Sequence, residues 1–169
     1  MIRWLGTALM FGGGLWLGLD RSRSRRDRLR TLGGLTAGLE QMERELRDVS
    51  PPMTALLAAA EECAGPASGC FAACRKGLSR LEERPFARQW EEAFRSSGLA
   101  LSGEELDQLA ALGRVLGRYD QESQRKALIR TAELLRRDQA EAREEQRRLG
   151  RLDCVLGGAA GLLAAILLL

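Results

Sequence analysis

The sequence predicts an all-α protein, a cytoplasmic antiparallel bundle of about six helices between two terminal transmembrane helices. Three observations carry this. Apolar residues in the middle of the chain recur at three- and four-residue steps, the mark of helices with one buried face. With a single tyrosine and few β-branched residues, sheet is disfavoured. Each end is an uncharged apolar run with arginines on its inner side. The expected division is residues 2–19 as the first span, 20–152 as the bundle with a stalk helix, and 153–169 as the second span.

The first run, WLGTALMFGGGLWLGL from Trp4 to Leu19, spans about 24 Å as a helix, short of a hydrocarbon core of about 30 Å. Arg3 and Arg21 can snorkel and Trp4 and Trp16 suit the interfaces, so a single pass is expected. Arg21, Arg23, Arg25, Arg26, Arg28 and Arg30 follow it, while Arg147, Arg148 and Arg151 precede the closing run from Cys154 to Leu169. Basic residues beside a span are retained in the cytoplasm, which places the middle of the chain there. A cleaved signal peptide would carry its charge before the apolar core and a small-residue cleavage site after it, the reverse of what is seen. The arginine run is a topogenic flank able to touch anionic lipid. It holds no aromatic for base stacking, and no nucleic-acid partner is expected. Gly14 with Gly18, and Gly157 with Gly161, have the G-x-x-x-G spacing that lets helices pack closely in lipid.

Within the bundle, Leu29, Leu32, Leu35, Leu39, Met42, Leu46 and Val49 form one stripe on a first helix, flanked by Gly33, Gly34 and Gly38. Each glycine costs about 1 kcal/mol of helix propensity against alanine, which close helix approach would offset. Pro51 ends this helix, and Ser50 with Pro51 is expected to open a second, over MTALLAAAEECA to Gly65-Pro66. A third is expected from Ser68 to Arg84, with Phe71, Cys74, Leu78 and Leu81 inward. Pro85 starts a fourth, on which Phe86, Trp90 and Phe94 face one way, as core or as an exposed docking site. Gly98 closes it, and Ser102 to Glu105 is a capping box opening a fifth helix that carries Leu106, Leu109, Leu112 and Leu116 and ends near Gly117. Asp120 caps the last helix. There Leu128, Leu135, Ala142 and Leu149 recur at sevens, but Arg136–Arg148 is polar nearly all round. That stretch predicts a stalk bridging through solvent, supported by pairs such as Glu133–Arg137 and Glu144–Arg148.

Chemistry is sparse. The chain has no histidine, no phosphate-cradling glycine loop and no nucleophile elbow. Its net charge is +3. Cys63, Cys70, Cys74 and Cys154 lack the paired short spacings of a zinc site and read as small buried apolar residues, with Cys154 open to acylation. Adjacent carboxylates such as Glu61-Glu62 and Glu91-Glu92 point apart on a helix. No catalytic residue, metal or cofactor is expected.

The layout of terminal spans and helical middle, with "LGRVLGRYDQESQ" from Leu112 to Gln124 and "SPPMTALLAAA", resembles the stage III sporulation protein AB family. "LGRVLG", a long charged helix and a terminal span are similar, more distantly, to one half of the inner-membrane F protein of type II secretion systems. The resemblance implies a non-enzymatic subunit of a secretion-like sporulation complex in the mother-cell membrane, a channel to the forespore. Its bundle would dock a cytoplasmic secretion-type ATPase, the AA member of the same operon, and its spans would meet other membrane subunits. Having one bundle where the secretion protein has two, the chain would self-associate or pair. Carried over are Gly113 and Gly117, for tight helix packing at the turn, Asp120 as cap, and Gln124 as a ligand of backbone or partner. The alternative is a membrane-tethered signalling or regulatory adaptor whose bundle binds a soluble partner.

Overall fold

A computed structural model describes residues 2–48, 51–80, 84–116 and 120–168, with side chains over 24–47, 51–79, 84–116 and 120–148. Among the described residues there are six α-helices and no strand: α1 (Ile2–Asp48), α2 (Met53–Cys63), α3 (Ser68–Gly77), α4 (Phe86–Arg95), α5 (Gly103–Val115) and α6 (Gln121–Leu168). Single 3-10 turns at Gly65–Ala67 and Leu78–Arg80 precede and follow α3. Each helix packs on the next, and α6 returns to α1, so the chain closes into a ring of neighbours.

The α1 stripe is buried as its spacing requires. Leu32, Leu35, Leu39 and Met42 are fully covered and Leu46 nearly so. Leu56, Leu57 and Ala60 of α2 and Leu128, Ala132 and Leu135 of α6 meet it. Removing each such leucine from water contributes about 1.5–3 kcal/mol. The glycines explain the close approach of α1 and α2. A Cβ on Gly34 would overlap the Ala64 carbonyl oxygen, and one on Gly38 would lie 3.2 Å from the Ala64 Cβ and 3.3 Å from Phe71. Phe71 stands edge-on to Trp90 and Phe94, with centroids 5.7 and 5.6 Å away. Trp90 and Phe94 are buried with it, so the aromatic cluster is core.

Several boundaries differ from expectation. α2 begins at Met53 with Pro52 as its N-cap, two residues later than the Ser50–Pro51 start, because each proline drives the residue before it out of the helical region. α3 stops at Gly77 rather than Arg84, tightening into the 3-10 turn where the Ser79 hydroxyl donates to the Lys76 carbonyl. A Cβ on Gly77 would displace the end of the Gln89 side chain. Leu116 is the extended C-cap of α5, still buried. Val49, Ser50, Leu81 and Gly117 lie outside the described residues.

α1 and α6 are antiparallel. Gln121 donates to the Leu46 carbonyl near one end, and Gln139 donates to the Leu29 carbonyl at 3.1 Å some five turns on. The polar part of α6, expected to bridge through solvent, is therefore half of a helical pair up to at least Gln139. Further along, Asp138, Gln139, Ala142 and Gln146 form the half-buried face, and the rest of Arg136–Arg148 is exposed. The Glu144–Arg148 pair forms at 2.6 Å; among the described residues, Glu133 and Arg137 do not pair.

Among the residues whose side chains are described, no helix is long and apolar enough to cross a membrane. The apolar ends, with Gly14, Gly18, Gly157, Gly161, Arg21, Arg23 and Arg151, lie outside them. Their backbone continues α1 and α6 without a break.

Candidate interaction site

Of the turn residues, Gly113 is buried beneath the Trp90 indole: a Cβ there would lie 2.5 Å from Cδ1. The same indole donates its Nε1–H to the Leu109 carbonyl one turn earlier, at 2.8 Å. Asp120 is the N-cap of α6. Its carboxylate accepts from the Ser123 hydroxyl at 2.8 Å and backbone N–H at 3.1 Å, and these bonds hold its pKa below the ordinary value. The Gln124 N–H donates to the Asp120 carbonyl at 3.1 Å. Gly113 thus permits the close α4–α5 contact, and Asp120 caps the first turn of α6.

The α1–α6 seam is ionic outside its apolar stripe. Glu43, 11 % exposed, accepts from Arg125 at 2.8 Å and from Arg47 at 3.0 Å. The Arg125 bond, then the Arg47 bond, lowers the Glu43 pKa against the opposing effect of burial. Arg136 reaches Glu40 at 2.5 Å. One α6 arginine in each of two places is thereby fixed to an α1 carboxylate, which sets the register of the two long helices.

Glu105 was legible as a capping-box residue but not as a buried one. Its carboxylate accepts the Ser102 N–H at 2.5 Å, and Ser102 Oγ accepts the Glu105 N–H at 3.2 Å. Its other oxygen takes Arg28 Nη2 at 2.8 Å, across 77 residues of sequence, and its side chain is 1 % exposed. The signal was present: Glu105 heads the stripe Glu105, Leu109, Leu112, Leu116 at steps of 4, 3 and 4, so it points inward. Around this pair lies a groove of about 630 Å³ between α1, the start of α5 and α6, lined by Arg25 and Arg28 and by Glu104, Glu105, Asp138, Glu141 and Glu145. Asp138 is half-buried there; desolvation, then Glu105 and Glu104, push its pKa up, with Arg28 opposing.

The arginine run divides by face. Arg25 and Arg28 line this groove and are partly covered, while Arg26 and Arg30 are exposed. Arg30 lies 3.8 Å from Asp27, with both side chains largely in solvent. Arg147 and Arg148 on α6 are exposed.

Burial leaves the cysteines unreactive where they are covered. Cys70 and Cys74 face the core, and desolvation raises the Cys74 thiol pKa to about 12; Cys63 is exposed. No group of three or more potential metal ligands occurs among the described residues.

These features define an all-helical bundle protein whose buried charges are matched across helices. The family described as stage III sporulation protein AB matches residues 3–169, and the chain belongs to it. The stage III sporulation protein AB of Bacillus subtilis (strain 168) is 27% identical over 172 residues, covering 100% of both chains. A solved structure of stage III sporulation protein AB (SpoIIIAB) is similar at a TM-score of 0.63 and 26% identity, covering 72% of this chain and 98% of that one.

Proposed function

We propose that this sporulation-stage III protein is a non-enzymatic membrane subunit of a secretion-like complex joining mother cell and forespore. Residues 2–19 and 153–169 cross the mother-cell membrane, and the bundle stands in the cytoplasm, where it docks a secretion-type ATPase, the AA member of the operon. Gly14–Gly18 and Gly157–Gly161 pack against other membrane subunits. The observation that carries this reading is the continuity of α1 and α6. Each runs as one helix from the bundle into an apolar end, and ion pairs lock the two in register. A load on the bundle would pass directly to both spans. With the aromatic cluster consumed by the core, docking falls to the charged outer faces.

The test is affinity purification of the full chain from sporulating cells. Recovery of the ATPase, lost at raised salt, is the expected result. Recovery of a soluble regulator without the ATPase would instead establish the tethered-adaptor reading.

A further inference from the structure

The six arginines after the first apolar run fall on two opposite faces of α1. Arg21, Arg25 and Arg28 are spaced 4 and 3, and Arg23, Arg26 and Arg30 are spaced 3 and 4, so each set makes one stripe. Half a turn of helix separates them. The side chains of Arg21 and Arg23 are outside the described residues. Of the first stripe, Arg28 pairs with Glu105 and Arg25 lines the same acidic groove. Arg26 and Arg30 of the second are exposed, and among the described residues the stripe's ion pair, Arg30 with Asp27 at 3.8 Å, is too long and exposed to neutralise it.

Beside Arg30 is a second groove of about 530 Å³, which adjoins the first at Ser24 and Ala100. Ser24, Asp27 and Arg30 of α1 form one wall, and Gly98, Leu99 and Ala100 of the α4–α5 loop form the other. Gly98, at φ +66, turns the chain so that this loop lies over α1. The groove therefore offers a guanidinium and a hydroxyl beside an apolar loop, with the Asp27 carboxylate opposing an anion from the same wall. Its height is set by α1: Ser24 lies five residues, about 7 Å, beyond Leu19, roughly the depth of a headgroup layer, and Arg26 and Arg30 lie about 10 and 16 Å beyond it. Side chains on an α-helix lean toward its N-terminus, so Arg26 and Arg30 lean toward the apolar end of α1.

We propose that Arg26 and Arg30, with this groove, form a binding site for the phosphate headgroup of an anionic phospholipid, and that Arg25 and Arg28 have no part in it. This rests on the membrane reading above and adds to it which arginines meet lipid. Guanidinium forks suit phosphate oxygens, and Leu99 and Ala100 suit the glycerol and upper acyl region.

The test uses the full chain in detergent, with phosphatidylglycerol, phosphatidylcholine or inorganic phosphate added and the bound lipid counted by native mass spectrometry. Phosphatidylglycerol should be retained over phosphatidylcholine, and inorganic phosphate should not displace it. Each of Arg26→Gln and Arg30→Gln should weaken retention about fivefold. Arg25→Gln, with equal charge loss on the opposite face, should leave it unchanged. Equal loss in Arg25→Gln, equal retention of the two lipids, or displacement by phosphate would overturn the site. Alkaline carbonate extraction of membranes separates the two levels. A chain that stays in the membrane but shows no dependence on Arg26 and Arg30 sinks the lipid site alone. A chain stripped from the membrane sinks the membrane reading and this inference with it.

Discussion

The aromatic side of the bundle and the α1–α6 seam hold together by different means. Around Phe71, Trp90 and Phe94 the helices touch through rings and glycines, with no charge inside the contact among the described residues. Along α1 and α6 an apolar strip is bordered by Glu43 with Arg47 and Arg125, by Glu40 with Arg136, and by glutamines reaching backbone carbonyls. Shape determines the first contact and charge register the second. The first should be insensitive to salt and pH and the second sensitive to both.

The sharpest break of that contrast is Trp90→Ala. It empties the centre of the aromatic side and leaves the Leu109 carbonyl without its donor, so it should cost about 3–5 kcal/mol in urea unfolding of the full chain followed by circular dichroism. Gly113→Leu attacks the same contact from α5 and should cost about 3 kcal/mol through overpacking against the indole. Either variant behaving like the parent would show that the indole is not the keystone of α4 and α5.

Arg28→Ala probes the place where the two regimes meet. It strands a buried carboxylate, but Arg28 is 41% exposed and water reaches it, so about 2 kcal/mol is expected rather than the full 3–5 of a closed pair. Glu105→Gln keeps the acceptor for the Ser102 N–H and should be milder. Hydrogen exchange at the start of α5 would report both.

The seam should show itself in acid. The folded pKa of Glu43 is lowered, so its contribution is present above the ordinary 4.5 and is lost as pH falls through the folded value. Glu43→Gln should flatten the fall in stability between neutral pH and about pH 3. An unchanged profile would remove Glu43 from the account. Smallest of all, Arg148→Ala cuts an exposed i,i+4 pair and should change stability by less than about 0.5 kcal/mol.

What the sequence made legible follows the same division. The spacing of Leu32, Leu35, Leu39 and Met42, the Phe86–Trp90–Phe94 step and the Ser102–Glu105 box each have a period or local motif, and the structure uses all three. On α6 the apolar step Leu128, Leu135 and Ala142 has a period, but the polar contacts of the seam have none. A helix that is polar all round reads the same whether it faces water or another polar helix, so the partnership of Gln139 with Leu29 and of Arg136 with Glu40 was invisible. The same held for Arg28 and Glu105, 77 residues apart. The α2 start was missed because two successive prolines shift the cap, which a single-proline rule does not anticipate.

Orientation is the claim on which the functional reading stands, and Cys63 tests it directly, being exposed on the bundle while Cys70 and Cys74 are buried. In a Cys154→Ser background, a membrane-impermeant maleimide should label Cys63 only after the cells are opened. Labelling in intact cells would put the bundle outside, beyond the reach of any cytoplasmic ATPase.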